Sequence, residues 1–175
     1  FNNLILTGAG TGNNRKKTLQ GVDASTGASG VLQLNSSELE TLGNTFFVMN
    51  PSVTAITFSN VFGSEGFVSS QEPGTLSRIT NFANAYIFPT GSSVGTTRFR
   101  PVELTPQSNL GGEYTVRFNN YDPNTDGFNR NQTDGEMCAL NPAYYHSIER
   151  LIGTAATDIR MFYIIPDDGD WTGIA

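Results

Sequence analysis

Apolar residues along this chain come in short clusters fenced by turn formers: NLILTG, GVLQLN, NTFFVMN, AITFSN, EGFVSS, GTLSRIT and AYIFPTG. Each cluster is only a few residues long and is bordered by Gly, Asn, Ser or Pro, which is the pattern of β-strands rather than helices. They recur about every 10 to 16 residues, a spacing that suits either an all-β sandwich or the rungs of a β-solenoid. Residues 1–96 suit a few irregular rungs, whose inward apolar residues would stack into one continuous core. From Arg98 the texture changes. YTVRF and IRMFYII alternate and are rich in β-branched and aromatic residues, as strands with one buried face are. Residues 97–175 therefore read as a sandwich-like module, with a long polar loop at 119–141. Over 141–150, Asn141-Pro142 suits a helix N-cap and first turn, and the local pattern serves helix and strand equally. The expected fold class is all-β, with irregular β-solenoid-like rungs packed against or leading into a β-sandwich-like module.

Composition narrows the partners. The chain has 175 residues, 37% of them hydrophobic and only 15% charged, enough for one domain with a real core or two small units sharing one. A net charge of -6 and a pI near 4.6 argue against nucleic acid, whose phosphates such a surface repels. No apolar stretch is long enough to span a bilayer, so no membrane insertion is expected. The single cysteine, Cys138, excludes an internal disulfide and a thiolate metal cluster, and reads as a buried, inert thiol. The first residues, FNNLILTG, are neither a signal peptide nor a natural start, so the chain reads as part of a longer one.

The stretch DPNTDGFNRNQTDGE, residues 122–136, poses the main chemical question. Asp122, Asn124 and Asp126 alternate ahead of Gly127, as at the start of a calcium loop, and the hard cation needs six to eight oxygens. Asp122, Asn124, Asp126, the Phe128 carbonyl, Asp134 and Glu136 are the candidate ligands of a structural Ca2+. Against this, Thr133 stands where a bidentate Glu belongs, Arg130 adds a positive charge, and Asn, Asp and Gly are also the residues of Asx-turns. Asp167, Asp168 and Asp170 read as a turn before Trp171. Tyr121 and Phe128 stand out as ligand contacts, because no alternating pattern explains aromatic rings in a polar loop. Tyr144, Tyr145 and Trp171 are further candidates for stacking on a sugar. The lone histidine, His146, has Ser147 and Glu149 beside it, but neighbours on one strand point to opposite faces, so no hydrolytic triad is expected. Arg15, Lys16 and Lys17 read as a solvated turn tip.

Several phrases together resemble large secreted surface proteins of the Bacteroidetes: FNNLILTGAGTGNNRKKTL, GVLQLNSSELETLGN, GFVSSQEPGTLSRI, YIFPTGSSVGTTRFRPVEL, YYHSIERLIGTAATDIRMFYI and DGDWTGI. In that group, solenoid-like repeats lead into a β-sandwich-like module. The resemblance implies a cell-surface adhesin, including the gliding-motility kind, exported by type IX secretion through a separate C-terminal sorting module. It also implies that residues 144–153 are extended. It says nothing about calcium, since the polar loop is a variable region in such proteins.

The expected function is a non-catalytic structural or adhesive segment of a large extracellular protein at the bacterial cell surface, an adhesin or stalk. Its partners would be neighbouring domains of the same long chain and a surface glycan or other extracellular ligand. The alternative is a carbohydrate-binding module of a secreted polysaccharide-degrading enzyme, using Tyr121 and Phe128.

Overall fold

A computed structural model describes residues 1–8, 15–130 and 141–163. Among them the regular structure is β, with short 3-10 turns at Val53–Ala55 and Pro123–Asp126 and no α-helix. The first nine strands are β1 (Leu4–Ile5), β2 (Lys16–Thr18), β3 (Ala24–Ser25), β4 (Leu32–Asn35), β5 (Glu38–Glu40), β6 (Phe46–Val48), β7 (Ile56–Phe58), β8 (Phe67–Ser69) and β9 (Leu76–Thr80). The chain visits three ladders in turn and then repeats the circuit twice. β1, β4 and β7 form one parallel ladder, β2, β5 and β8 a second, and β3, β6 and β9 a third. Like residues stack: Leu4 on Leu32 on Ile56, and Ala24 on Phe46 on Leu76.

Stacking of this kind brings turn backbones into contact, and glycine marks where. A Cβ at Gly66 would lie 2.1 Å from the Asn35 carbonyl oxygen, and one at Gly74 would lie 2.2 Å from that of Leu42. No side chain fits such an approach, so these glycines let one circuit rest on the one before. Arg15 ties the circuits from outside, its guanidinium donating to the carbonyls of Ser36, Gly63 and Glu65. Lys16 reaches Glu40 at 2.9 Å and Glu38 at 3.5 Å in the neighbouring strand. The expected solvated tip is thus corrected: Arg15 and Lys16 are cross-braces, because the carbonyls and carboxylates of the next circuit lie within reach of their long side chains.

After Thr80 the pairing turns antiparallel. The later strands are β10 (Tyr86–Phe88), β11 (Gly91–Ser92), β12 (Arg98–Phe99), β13 (Val102–Pro106), β14 (Gly112–Asn119), β15 (Tyr145–Ile152) and β16 (Thr157–Met161). β10, β13 and β16 make one antiparallel sheet, and β11 pairs with β12. β14 pairs with β9 on one side and β15 on the other, giving a five-stranded mixed sheet β15-β14-β9-β6-β3. The β10–β13 and β11–β12 pairings both cross residue 96, where the sequence reading placed its division. Residues 145–152 are a strand, which resolves the open choice over 141–150 in favour of the extended form.

One core serves both parts: Leu32, Leu34, Phe46 and Leu76 cluster with Tyr86, Phe88, Val102, Leu104 and Val116, all fully buried. Arg78 lies inside this junction, 1% exposed. Its guanidinium donates to the carbonyls of Ile87 at 2.8 Å and Ser52 at 2.9 Å and lies 4.9 Å from the Tyr86 ring centre. Burial lowers its pKa to about 10, so it stays charged at neutral pH. Arg78→Leu keeps bulk but removes two hydrogen bonds from a charged donor, each contributing about 1.5–3 kcal/mol at most, and the Ser52 carbonyl keeps its bond from Ala55 N–H. Urea unfolding should show a stability loss of about 2–4 kcal/mol; an unchanged midpoint would contradict the role assigned to Arg78.

Candidate functional site

β14 runs out of the sheet at Asn119, and the chain turns at once. Asp122 caps the 3-10 turn Pro123–Asp126, its Oδ1 accepting from Asn124 N–H at 2.9 Å, while Pro123 supplies the fixed φ of the first turn. Gly127 closes the turn in the left-handed region, with φ 81°. Asn124 Oδ1 accepts from Arg130 N–H at 3.1 Å, and Arg130 Nε stands 3.5 Å from Asp122 Oδ2. Asp126 Oδ2 accepts from the hydroxyls of Tyr121, at 2.8 Å, and Tyr145. The stretch DPNTDG therefore takes the Asx-turn form, with its carboxylates engaged by donors of the protein itself. Phe128 contributes its ring to the site, and its N–H donates to the Pro123 carbonyl. Asp134 and Glu136 lie outside the described residues, as do Cys138, Asp167, Asp168, Asp170 and Trp171. Among the described residues no group of three or more His, Cys, Asp or Glu could hold a metal ion.

Three of the aromatic candidates converge. Tyr145, on the edge strand β15, meets Tyr121 edge-on with ring centres 5.9 Å apart, and Phe128 in the same manner at 5.5 Å. The Tyr145 and Tyr121 phenols hold the Asp126 carboxyl below its usual range, Tyr145 contributing most. Both phenols are pushed above theirs, first by burial and then by the Asp126 bond. The result is a strap that fastens the turn to β15.

Beside the strap, the outward face of β14 and β15 floors a groove of about 1100 Å3. Phe128 and Tyr145 stand on one side, and the turn at Glu72 and Pro73 on the other. Across the floor runs a polar row. Arg117 pairs with the Glu72 carboxylate and donates from Nε to Asn119 Oδ1 at 2.8 Å, and Asn119 donates to Ser147 Oγ at 2.9 Å. Sequence reasoning missed Arg117 and Glu72. The signal was present in YTVRF, where a strand position with buried neighbours carries a charge that requires a partner.

His146 is a packing residue. Its ring lies 5.2 Å from Phe118 and 6.2 Å from Tyr144, and Nε2–H donates to the Arg100 carbonyl at 2.9 Å. Burial, outweighing that bond, keeps its pKa below 6.5. Ser147 turns to the opposite face, towards Asn119, so the two do not meet. Tyr144 is held under the guanidinium groups of Arg98 and Arg100, at 5.8 and 5.5 Å.

Comparison with protein-family models, curated proteins and solved structures found no match.

Two titrations test this geometry. His146 has a folded pKa below its unfolded value, so its neutral burial contributes stability above pH 6.5 that is lost as the pH falls. The single imidazole resonance should titrate below pH 6.5 in NMR, and a midpoint at or above 6.5 would contradict its burial. For Tyr145 the sign reverses. Its raised pKa contributes stability below pH 10.0 that is lost as the pH rises through the folded value. Asp126→Asn should lower the last phenolate transition seen by ultraviolet absorbance, because it removes the charge that opposes ionisation; an unmoved transition would count against the strap.

Proposed function

We propose that this chain is a non-catalytic adhesive segment of a large bacterial cell-surface protein, an adhesin or stalk whose neighbouring domains lie on the same long polypeptide. In this reading the described residues up to 80 coil as a short three-sided β-solenoid. The antiparallel strands beyond form a β-sandwich-like cap. The observation that carries the reading is the sharing of β9, parallel to β6 on one side and antiparallel to β14 on the other. A solenoid end is an open set of strand edges prone to pairing with other chains, and an antiparallel strand laid along the last circuit closes one of them. Thr90 adds a parallel bridge to Val68, extending the closure to the second ladder.

The arrangement suits load-bearing. Force applied along the chain reaches ladders cross-braced by Arg15, Lys16 and Arg78 rather than isolated hairpins. The packing role of His146 supports a segment without hydrolytic chemistry, since the base that a triad would need is bound to a backbone carbonyl. The type IX export and gliding connection rests on the sequence resemblance alone.

Stretched between its ends in a force spectrometer, the chain should resist with a distinct unfolding peak. Val116→Pro, which removes a ladder donor from the centre of β14, should abolish or sharply lower that peak. Extension of the unaltered chain without a peak, as for a flexible linker, would contradict a load-bearing role.

A further inference from the structure

We propose that the groove between Phe128 and the Glu72–Pro73 turn binds a neutral oligosaccharide, with Phe128 and Tyr145 as its stacking wall and the Arg117 row as its hydrogen-bonding floor; Tyr121 stands behind Tyr145 and does not line it. The proposal rests on the adhesive reading and adds the class of ligand that the segment contacts.

Shape, surface and charge point the same way. At about 1100 Å3 the open groove lies at the upper end of small-ligand sites and has room for more than one sugar ring. Its wall contains a ring that core packing does not explain: Phe128 is 55% exposed, yet rests on Tyr145 at the groove edge. An exposed aromatic face beside fixed polar groups matches a pyranose, which offers C–H bonds on one face and hydroxyls around its rim. Sugar hydroxyls both donate and accept, and the floor supplies both. Arg117 offers N–H groups, Glu72 and Glu149 offer carboxylate oxygens, and Ser147 offers a hydroxyl.

Charge selects neutral over acidic sugars. Glu72 already offsets Arg117, Glu149 adds a further carboxylate, and the whole chain carries -6, so a uronic-acid polymer would be repelled. The partners are also held in place before any ligand arrives. Asn119 fixes Arg117, and Asp126 fixes Tyr145, so binding orders few side chains.

The test is electrophoresis of the whole chain in native gels containing laminarin, xylan or galactomannan, with alginate as the acidic comparison. Retardation by at least one neutral polymer is expected. Phe128→Ala should weaken it about tenfold or more, as loss of a central aromatic contact does. Phe62→Ala, which removes a ring 83% exposed on a turn that does not line the groove, should leave it unchanged. The proposal is overturned if no neutral polymer slows the protein, if alginate slows it more, or if both variants weaken binding equally. A thermal transition kept by Phe128→Ala confirms that lost binding is not lost folding. A negative gel with the force peak intact removes the groove assignment and leaves the adhesive reading standing; a missing force peak with positive gels does the reverse.

Discussion

Everything in this fold depends on β9 having two partners of opposite sense. A parallel ladder can only be extended by a further crossover, whereas an antiparallel one can be ended by a strand that turns back. β9 accepts the first from β6 and the second from β14. Arg78 secures the change from within, reaching from β9 to Ser52 in the preceding circuit and to Ile87 in the first antiparallel strand. A buried cation is costly unless its donors are met; the two terminal nitrogens of Arg78 are met, while Nε has no partner among the described residues, and those terminal bonds tie both halves to one arrangement.

The same junction places the groove. β14 must leave the mixed sheet beyond Asn119, and the capped turn Pro123–Asp126 sends Phe128 back over Tyr145 on the neighbouring strand. The turn before β9 supplies Glu72, which meets Arg117 from the opposite side. Closure of the parallel circuits and construction of the polar floor are therefore products of one strand pairing.

Much of this was legible in the sequence, and the limits have physical causes. Short apolar clusters between Gly, Asn and Ser identified β-strands, because local periodicity and turn chemistry act over a few residues. Stacked rungs were an expectation of the sequence, but which strand pairs with which, and where parallel pairing stops, were not legible, since circuits of unequal length leave no fixed repeat, and β9 looks locally like its neighbours. Arg15 and Lys16 looked like a solvated tip because the groups they brace, Ser36, Glu40 and Glu65, are distant in sequence. In the site, Tyr121 and Phe128 were identified from rings out of pattern in a polar loop, and the structure brings both onto Tyr145. Arg117 and Glu72 were not identified, being separated by five strands and most of a sixth. DPNTDG shows the ambiguity of short motifs: the oxygens that accept from Asn124 N–H and from the Tyr121 and Tyr145 hydroxyls are the same ones a cation would use.

Paired cysteines report on the parallel stacking of successive circuits. Gln33 and Thr57 are register partners in neighbouring parallel strands, with Ile5 the partner of Gln33 on the other side. Adjacent strands lie about 4.8 Å apart, within disulfide reach, while strands two apart are separated by about twice that. In a Cys138→Ser background, Gln33→Cys with Thr57→Cys should close under mild oxidation, as should Ile5→Cys with Gln33→Cys, whereas Ile5→Cys with Thr57→Cys should stay reduced. Failure of both neighbouring pairs to close, or closure of Ile5 with Thr57 as readily as theirs, would contradict the stacked arrangement.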